Sequence, residues 1–275
     1  MRAIKAILIR NLTNFTRDKI RVVLTLFMSV FFLFVFSFVM KSAAKGIVQP
    51  MNYLISGIII MSVFQTAMSN SMSIIEDIAS GFMKEILVAP IARWQISIGQ
   101  ILSAMIIAVL QGIIIIVMGL FMGLNLDLLH FIEMMGIMML VGITFSSMGL
   151  YLATLVKNSA SFQILTSLAM IPLTFLSGAY IPTMVLPSFL RPLIYFNPLT
   201  YTTAVFRYIA LKMESLSVAT LVKAGVAFNI HGFIVLPYLA LFVVVAIGIV
   251  FFALCVHQFN RADFSKVKVF RGEHR

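Results

Sequence analysis

Few residues in this sequence have the types and spacing for chemistry, and none is arranged for catalysis. The stretch Glu76–Gln100, EDIASGFMKEILVAPIARWQISIGQ, sets Glu76 and Asp77, Lys84 and Glu85, Arg93 and the only Trp between two long apolar runs. Mixed charges around a short apolar core suit a docking surface for a partner, or equally an inter-helix loop. Nucleotide chemistry needs a phosphate-cradling G-x-x-x-x-G-K-S/T loop, and none occurs. His130, His231, His257 and His274 are scattered without metal-ligand spacing. No Ser and His stand as nucleophile and base. Glu133 lies at the outer edge of an apolar run, whereas a proton-coupled carrier needs a buried carboxylate or histidine relay. The chain reads as a non-enzyme that binds no metal or cofactor itself.

Composition says what must position these groups. The 275 residues are 61% hydrophobic and 11% charged, with a mean hydropathy of +1.09. Soluble domains carry about 25% charged residues, so this chain lacks the polar surface to face water on all sides. It reads as an all-α integral membrane protein in the plasma membrane. The net charge of +11 fits loops enriched in Lys and Arg. No aromatic-interleaved basic module for nucleic acid is present. The single Cys255 excludes an intrachain disulfide. A charged stretch precedes the first apolar run, so no cleavable signal peptide is expected.

A hydrocarbon core of about 30 Å needs roughly 20 apolar residues per helix. Six runs meet that length, near 22–40, 53–75, 97–121, 132–155, 160–180 and 233–256. Before them, residues 1–21 place Ile4, Leu8, Leu12 and Phe15 on one helical face and Arg2, Lys5, Arg10 and Arg17 largely on the other, the pattern of an interfacial amphipathic helix. Six spans put both termini on one side. That side holds Arg2, Lys5, Arg10, Arg17, Lys19, Arg21, Lys84, Arg93, Lys157, Arg261, Lys266, Lys268, Arg271 and Arg275. The other holds Lys41, Lys45, Arg191, Arg207, Lys212 and Lys223. The bias makes the termini, the 76–96 loop and the 257–275 basic tail cytoplasmic. Residues 181–212 are apolar yet broken by Pro182, Pro187, Pro192 and Pro198. Such spacing forbids one straight helix and predicts short re-entrant external helices, buried in protein or lining a cavity. Residues 213–232 then read as an external loop.

Two features within this frame point to function. The second span carries Gln65, Ser69, Asn70 and Ser73, which are candidates for lining a pathway or for hydrogen-bonding helices together. In the 76–96 loop, a helix would set Phe82, Met83, Ile86 and Leu87 on one arc, with Lys84 and Glu85 on the other. Gly81 and Pro90 limit it to about two turns, too short to stand alone in water. Its apolar arc must dock on its own bundle, on the bilayer, or in a partner's groove.

The 76–100 stretch resembles the cytoplasmic coupling segment of type-2 ATP-binding-cassette exporter permeases. In that family acids precede a Gly, a short apolar helix, a Pro, a basic residue and a Gly re-entering the membrane. Glu76, Asp77, Gly81, Pro90, Arg93 and Gly99 stand at those places. Residues 175–207, FLSGAYIPTMVLPSFLRPLIYFNPLTYTTAVFR, are similar to the family's closing motif through Ser177, Gly178, Pro182, Pro187, Asn197, Pro198, Leu199, Thr200, Tyr201 and Arg207. Ala204 departs from it, because the family often has an acid there, which leaves Arg207 without that local ion pair. The likeness is to permeases of the daunorubicin-resistance and polysaccharide or lipid export types.

The resemblance implies a single transmembrane domain over 1–275, working as a homodimer with two ATPase subunits. ATP and Mg would be used by that separate chain. Glu76, Asp77, Gly81, Phe82, Met83, Lys84, Glu85, Ile86, Leu87, Pro90 and Arg93 would form the ATPase contact. The cargo would be a hydrophobic drug, lipid or glycolipid-like molecule. Two other classes remain open: an ATP-independent secondary transporter or channel, and a non-transport membrane scaffold or sensor.

Overall fold

In a bilayer every backbone N–H and C=O must bond within its own segment, so long apolar runs become helices. The computed structural model describes residues 2–43, 49–88, 91–156, 158–183, 186–230 and 232–261. Lys45, Pro90, Lys157, His231 and the part of the basic tail from 262 onward lie outside the described residues. Helix α1 is Arg2–Arg17 and α2 Lys19–Ala43, meeting at a bend of 68°. Then come α3 (Pro50–Ser69), α4 (Met72–Ala79), α5 (Phe82–Val88), α6 (Arg93–Phe121), α7 (Leu128–Leu155) and α8 (Ser159–Leu176). Among the described residues five helices, counting α3 and α4 as one, are long and apolar enough to cross a membrane, and the bent α1–α2 pair, taken as one span, makes a sixth.

Helix α3 is the axis of the bundle. Its span is 78% buried, against 11% for α8, so α3 is enclosed by protein while α8 turns most of its surface outward. Phe64 of α3 meets Phe145 of α7 edge to face, with ring centroids 4.6 Å apart. At Gly57 a Cβ would collide with the carbonyl oxygen of Ala179. Glycine there lets the chain after α8 lie directly on α3.

The proline-rich stretch breaks as its spacing predicts. A 3-10 turn, Ser188–Leu190, leads into α9 (Arg191–Phe196) and α10 (Pro198–Ala210), each with Pro in its first turn. Between α9 and α10, Asn197 caps α10 by accepting from the Leu199 N–H (2.9 Å) and donates to the Leu173 carbonyl of α8 (2.8 Å).

Several boundaries differ from expectation. The fifth span ends at Leu176 rather than 180, because Gly178 at φ 76° turns the chain. The expected external loop 213–232 contains α11 (Val218–Lys223) and the first strand of a hairpin, β1 (Phe228–Ile230) with β2 (Phe233–Val235), in the register Phe228 to Val235. The fold is therefore helical with one small hairpin. The alternation of Phe228, Asn229, Ile230 and His231 ahead of Gly232, whose φ is 91°, is the signal for it. The last span consequently starts not at 233 but at Pro237, as α12 (Pro237–Arg261).

The two ends of the bundle are chemically distinct. At one, Arg93 at the start of α6 donates to the Asn260 carbonyl near the end of α12 (3.2 Å). At the other, Lys212 Nζ lies 2.9 Å from Asp127, and His130 bridges Asp127 (2.5 Å) and Glu214 (3.3 Å). The Asp127 carboxyl is held below the usual carboxylate range, chiefly by the hydrogen bond from Lys212, with His130 adding to it.

Candidate coupling site and its cavity

Helix α5 forms as the 82–87 arc predicts, bounded by Gly81 at φ 83°. Its inner face is fastened to its own chain. Met83 is buried in a cluster with Ile7 of α1, Ile74 and Ile75 of α4, Ile96 and Ile101 of α6 and Phe162 of α8, and Ile86 packs at its edge. Phe82 lies under the guanidinium of Arg10, 4.2 Å from ring centroid to Cζ. Glu85 and Val88 face outward, Val88 being 87% exposed. Lys84 and Leu87 belong to α5 by their backbone. Thus the own-bundle alternative accounts for Phe82, Met83 and Ile86, and the tip of α5 is left for something else.

Arg10 ties three helices at one point. Its guanidinium makes a two-pronged ion pair with Asp77 of α4, Nη1 to Oδ2 at 2.8 Å and Nη2 to Oδ1. Asp77 was expected to be open to a partner, but it is only 3% exposed. It belongs to α4, whose helix continues the second span to Ala79, beyond the loop start expected at 76. Glu76, one residue earlier, is exposed. The amphipathic face of α1 is as expected, though its buried centre falls on Ile7 and Asn11. Asn11 Nδ2 donates to Gln100 Oε1 (2.7 Å) and Ser103 Oγ (2.8 Å) of α6. Ile7 fills the space beside Gly99, 3.1 Å from where a Cβ would sit.

The polar residues of the second span serve both packing and a cavity. Thr66 donates to Gln111 of α6, and Ser71 reaches the Ser146 carbonyl of α7 (3.3 Å). Gln65, Ser69 and Asn70, with Thr66 and Gln111, line a cavity of about 270 Å³ between α2, α3 and α6. Asn70 and Ser73 line a second, of about 140 Å³, against α1. Ser73 Oγ also donates to Gln100 Oε1 (3.3 Å).

The second sequence motif closes around Arg207, which is 1% exposed. The charge bias sets it among the loop cations, whereas it sits inside the bundle on α10. Its Nη2 donates to the carbonyls of Gly178 (3.2 Å), Ala179 (3.3 Å) and Tyr53 (3.5 Å), and its Cζ stacks 3.4 Å from the Tyr53 ring centroid. Its contacts among the described residues are these carbonyls and the Tyr53 ring. Ser177 donates to Thr174 (2.6 Å) and accepts from the Ala179 N–H (3.1 Å). Thr200 donates to the Leu176 carbonyl (3.0 Å) and Tyr201 to that of Tyr195 (2.6 Å). Pro182 and Pro187 flank this turn, half-buried and exposed respectively.

Residues 2–211 match the family model of the ABC-2 type transporter, well over half of the chain. The chain belongs to the ABC-2 type transporter family. It is 29% identical over 154 residues to a protein of Escherichia coli K12 named "Probable multidrug ABC transporter permease YbhR", covering 54% of this chain and 40% of that protein. It is 24% identical over 193 residues to the inner membrane transport permease YadH of the same organism, covering 67% of this chain and 72% of that one. The chain thus aligns with about two fifths of YbhR.

In this ABC-2 family chain, sequence reasoning found both motifs but missed what holds them. By sequence Arg10 is only part of the headgroup-facing basic side of α1. Asn11, Gln100 and Gln111 are the signal that was available, since amides in otherwise apolar helices ask for partners.

Proposed function

We propose that this chain is the membrane permease subunit of an ATP-driven exporter, working as a dimer and coupled to separate ATPase subunits through α5. The observation that carries this is the division of α5: an inner face fastened through Met83 and Phe82, and a tip with Glu85 and the largely exposed Val88. An exposed apolar tip on a short helix fits a groove on another protein. With its base clamped to α1 and α4, a push on the tip would reach the spans as a rigid displacement. The positive-inside bias supports placing α5 and both termini in the cytoplasm. ATP and Mg are assigned to the ATPase chain. Outward apolar faces, such as Phe27, Phe31, Phe34 and Phe38 of α2 with Ile164, Leu168, Ile171 and Phe175 of α8, are available to lipid and to a second copy. The cargo suited to the cavity beside α2 and α3 is a hydrophobic drug, lipid or glycolipid-like molecule.

The test pairs the chain with an ATPase encoded beside it. Glu85→Arg with Val88→Asp should abolish co-purification while leaving the permease's thermal unfolding unchanged, because neither side chain is buried. Undiminished co-purification and transport-coupled hydrolysis would overturn the docking role of α5. Transport by the purified chain without any ATPase would favour a secondary carrier instead.

A further inference from the structure

Two cavities meet along the α2 side of α3, and their linings differ. The larger, about 330 Å³, is walled mostly by apolar side chains of α2 and α8, among them Phe36, Met170, Ile171 and Phe175. The other, about 270 Å³ between α2, α3 and α6, is lined by neutral polar groups as well as apolar ones. Phe32, Gln65 and Tyr180 line both, and so stand where the two join. Together they have the volume of a site for a drug-sized molecule.

Part of the polar lining is committed within the bundle: Thr66 donates to Gln111, and Asn70 to the Thr66 carbonyl (2.8 Å). Three lining groups are not. The Ser62 hydroxyl, on a residue only 5% exposed, is buried with no hydrogen-bond partner. Among the described residues, the Gln65 amide and the Tyr180 hydroxyl have none either. All three groups can both donate and accept, and a buried group of this kind is costly to leave unpaired. Among the described residues no charged side chain lines either cavity. In the small adjoining cavity against α1, Arg10 is paired with Asp77, Asp18 has a partner of its own and Glu76 is exposed. An ionic head at Gln65 would therefore give up its hydration without a counter-charge, whereas a hydroxyl or amide would exchange water for protein partners. Beyond Gln65, Phe32 and Phe36 both stack on Tyr180, with centroids 5.4 and 4.9 Å apart, and with Phe175 they make an apolar bed for a tail.

We infer that the joined cavities bind an uncharged amphiphile whose head carries hydroxyl or amide groups. The head lies at Ser62, Gln65 and the Tyr180 hydroxyl, and the tail runs along Phe32, Phe36 and Phe175. The inference narrows the cargo of the proposed permease and rests on that reading for its transport meaning, but the binding belongs to this chain alone.

The test uses the full chain in phosphatidylcholine nanodiscs without ATPase. The probe is dodecyl glucoside carrying a diazirine in its tail, cross-linked by light and located by peptide mass spectrometry. Saturable labelling of the peptides that carry Phe32, Phe36 or Phe175 is expected. Plain dodecyl glucoside should displace the probe at about tenfold lower bilayer mole fraction than dodecyltrimethylammonium or dodecyl sulfate, ionic heads on the same tail. Free glucose, which lacks the tail, should leave labelling unchanged. Gln65→Leu removes no hydrogen bond among the described residues and should weaken probe binding about tenfold. Gln65→Lys should make dodecyl sulfate the best competitor, a gain that a misfolded variant would not show. Equal displacement by the three heads, preference for either ion, displacement by free glucose, full probe binding in Gln65→Leu or an unchanged order in Gln65→Lys would overturn the inference. Head-selective labelling of a chain that associates with no ATPase would sink the coupled-permease reading and leave this one standing. Stimulated hydrolysis by a bound ATPase without any head preference would do the reverse.

Discussion

Two arginines hold this molecule together at opposite ends, and they do so by different physics. Arg207 is sealed inside α10 and offers its charge to three carbonyls and one aromatic face. Arg10 lies on α1, its side chain 31% exposed, and offers its charge to one carboxylate and a phenyl ring. A buried guanidinium surrounded by backbone dipoles has no second arrangement of comparable energy, because moving it would orphan both the charge and the carbonyls. An ion pair with one partner at the edge of water opens at lower cost, since solvent can take the place of Asp77 at the guanidinium although it does not reach the buried carboxylate. The first is a lock on the α3–α8–α10 junction. The second is a joint between α1 and the α4–α5 corner, where movement is needed if the tip of α5 is to transmit force.

Removing the lock should have the largest effect. Arg207→Leu leaves the buried carbonyls of Gly178 and Ala179 without this donor, at about 1–3 kcal/mol each, while that of Tyr53 keeps Ser56 Oγ. Thermal unfolding in detergent should show little or no folded protein, with Arg207→Lys restoring only part of the loss because a point charge lacks the planar fork. Melting of Arg207→Leu at the wild-type temperature would remove the distinction drawn here.

The joint should give less. A double-mutant cycle of Arg10→Ala and Asp77→Ala is expected to return a coupling of about 1.5–3 kcal/mol, held below that of a fully buried pair because water reaches the guanidinium though not Asp77. On the proposed permease function, its signature would be ATP hydrolysis by a co-purified ATPase that no longer responds to cargo. A coupling energy of zero, with cargo response intact, would mean that α1 and α4 are held by packing alone.

Smallest of all should be the exposed clasp of Asp127, Lys212 and His130. Its carboxyl titrates below the unfolded value, so the stabilisation is complete above the ordinary Asp range and is lost as pH falls through the lowered value. The melting-temperature gap between wild type and Asp127→Asn should therefore close below about pH 4. A gap that persists in acid would assign the clasp to something other than that charge.

Much of this was legible in the residues. The six runs, the helix over 82–87 and the broken 181–212 stretch follow from local facts: apolar length, a Gly and a Pro as punctuation, and proline's missing N–H. The family likeness was legible too, because Gly178, Asn197 and Pro198 serve local turns and caps whose chemistry leaves a short, ordered signature. The hairpin at 228–235 was missed although Gly232 announced it, since an apolar strand next to a span reads as more span.

Arg10 and Arg207 show where that legibility stops. Sequence made each a cation in an apolar protein, one on an interfacial helix and the other in a loop. Only the folded chain decided that one would find Asp77, 67 residues away, and the other the carbonyls of Gly178 and Tyr53. Spans, caps and charge bias are determined within a few turns of the chain, where a residue's neighbours are its sequence neighbours. Partners for buried polar groups are set by which helix faces meet, and that follows from packing the whole bundle around α3.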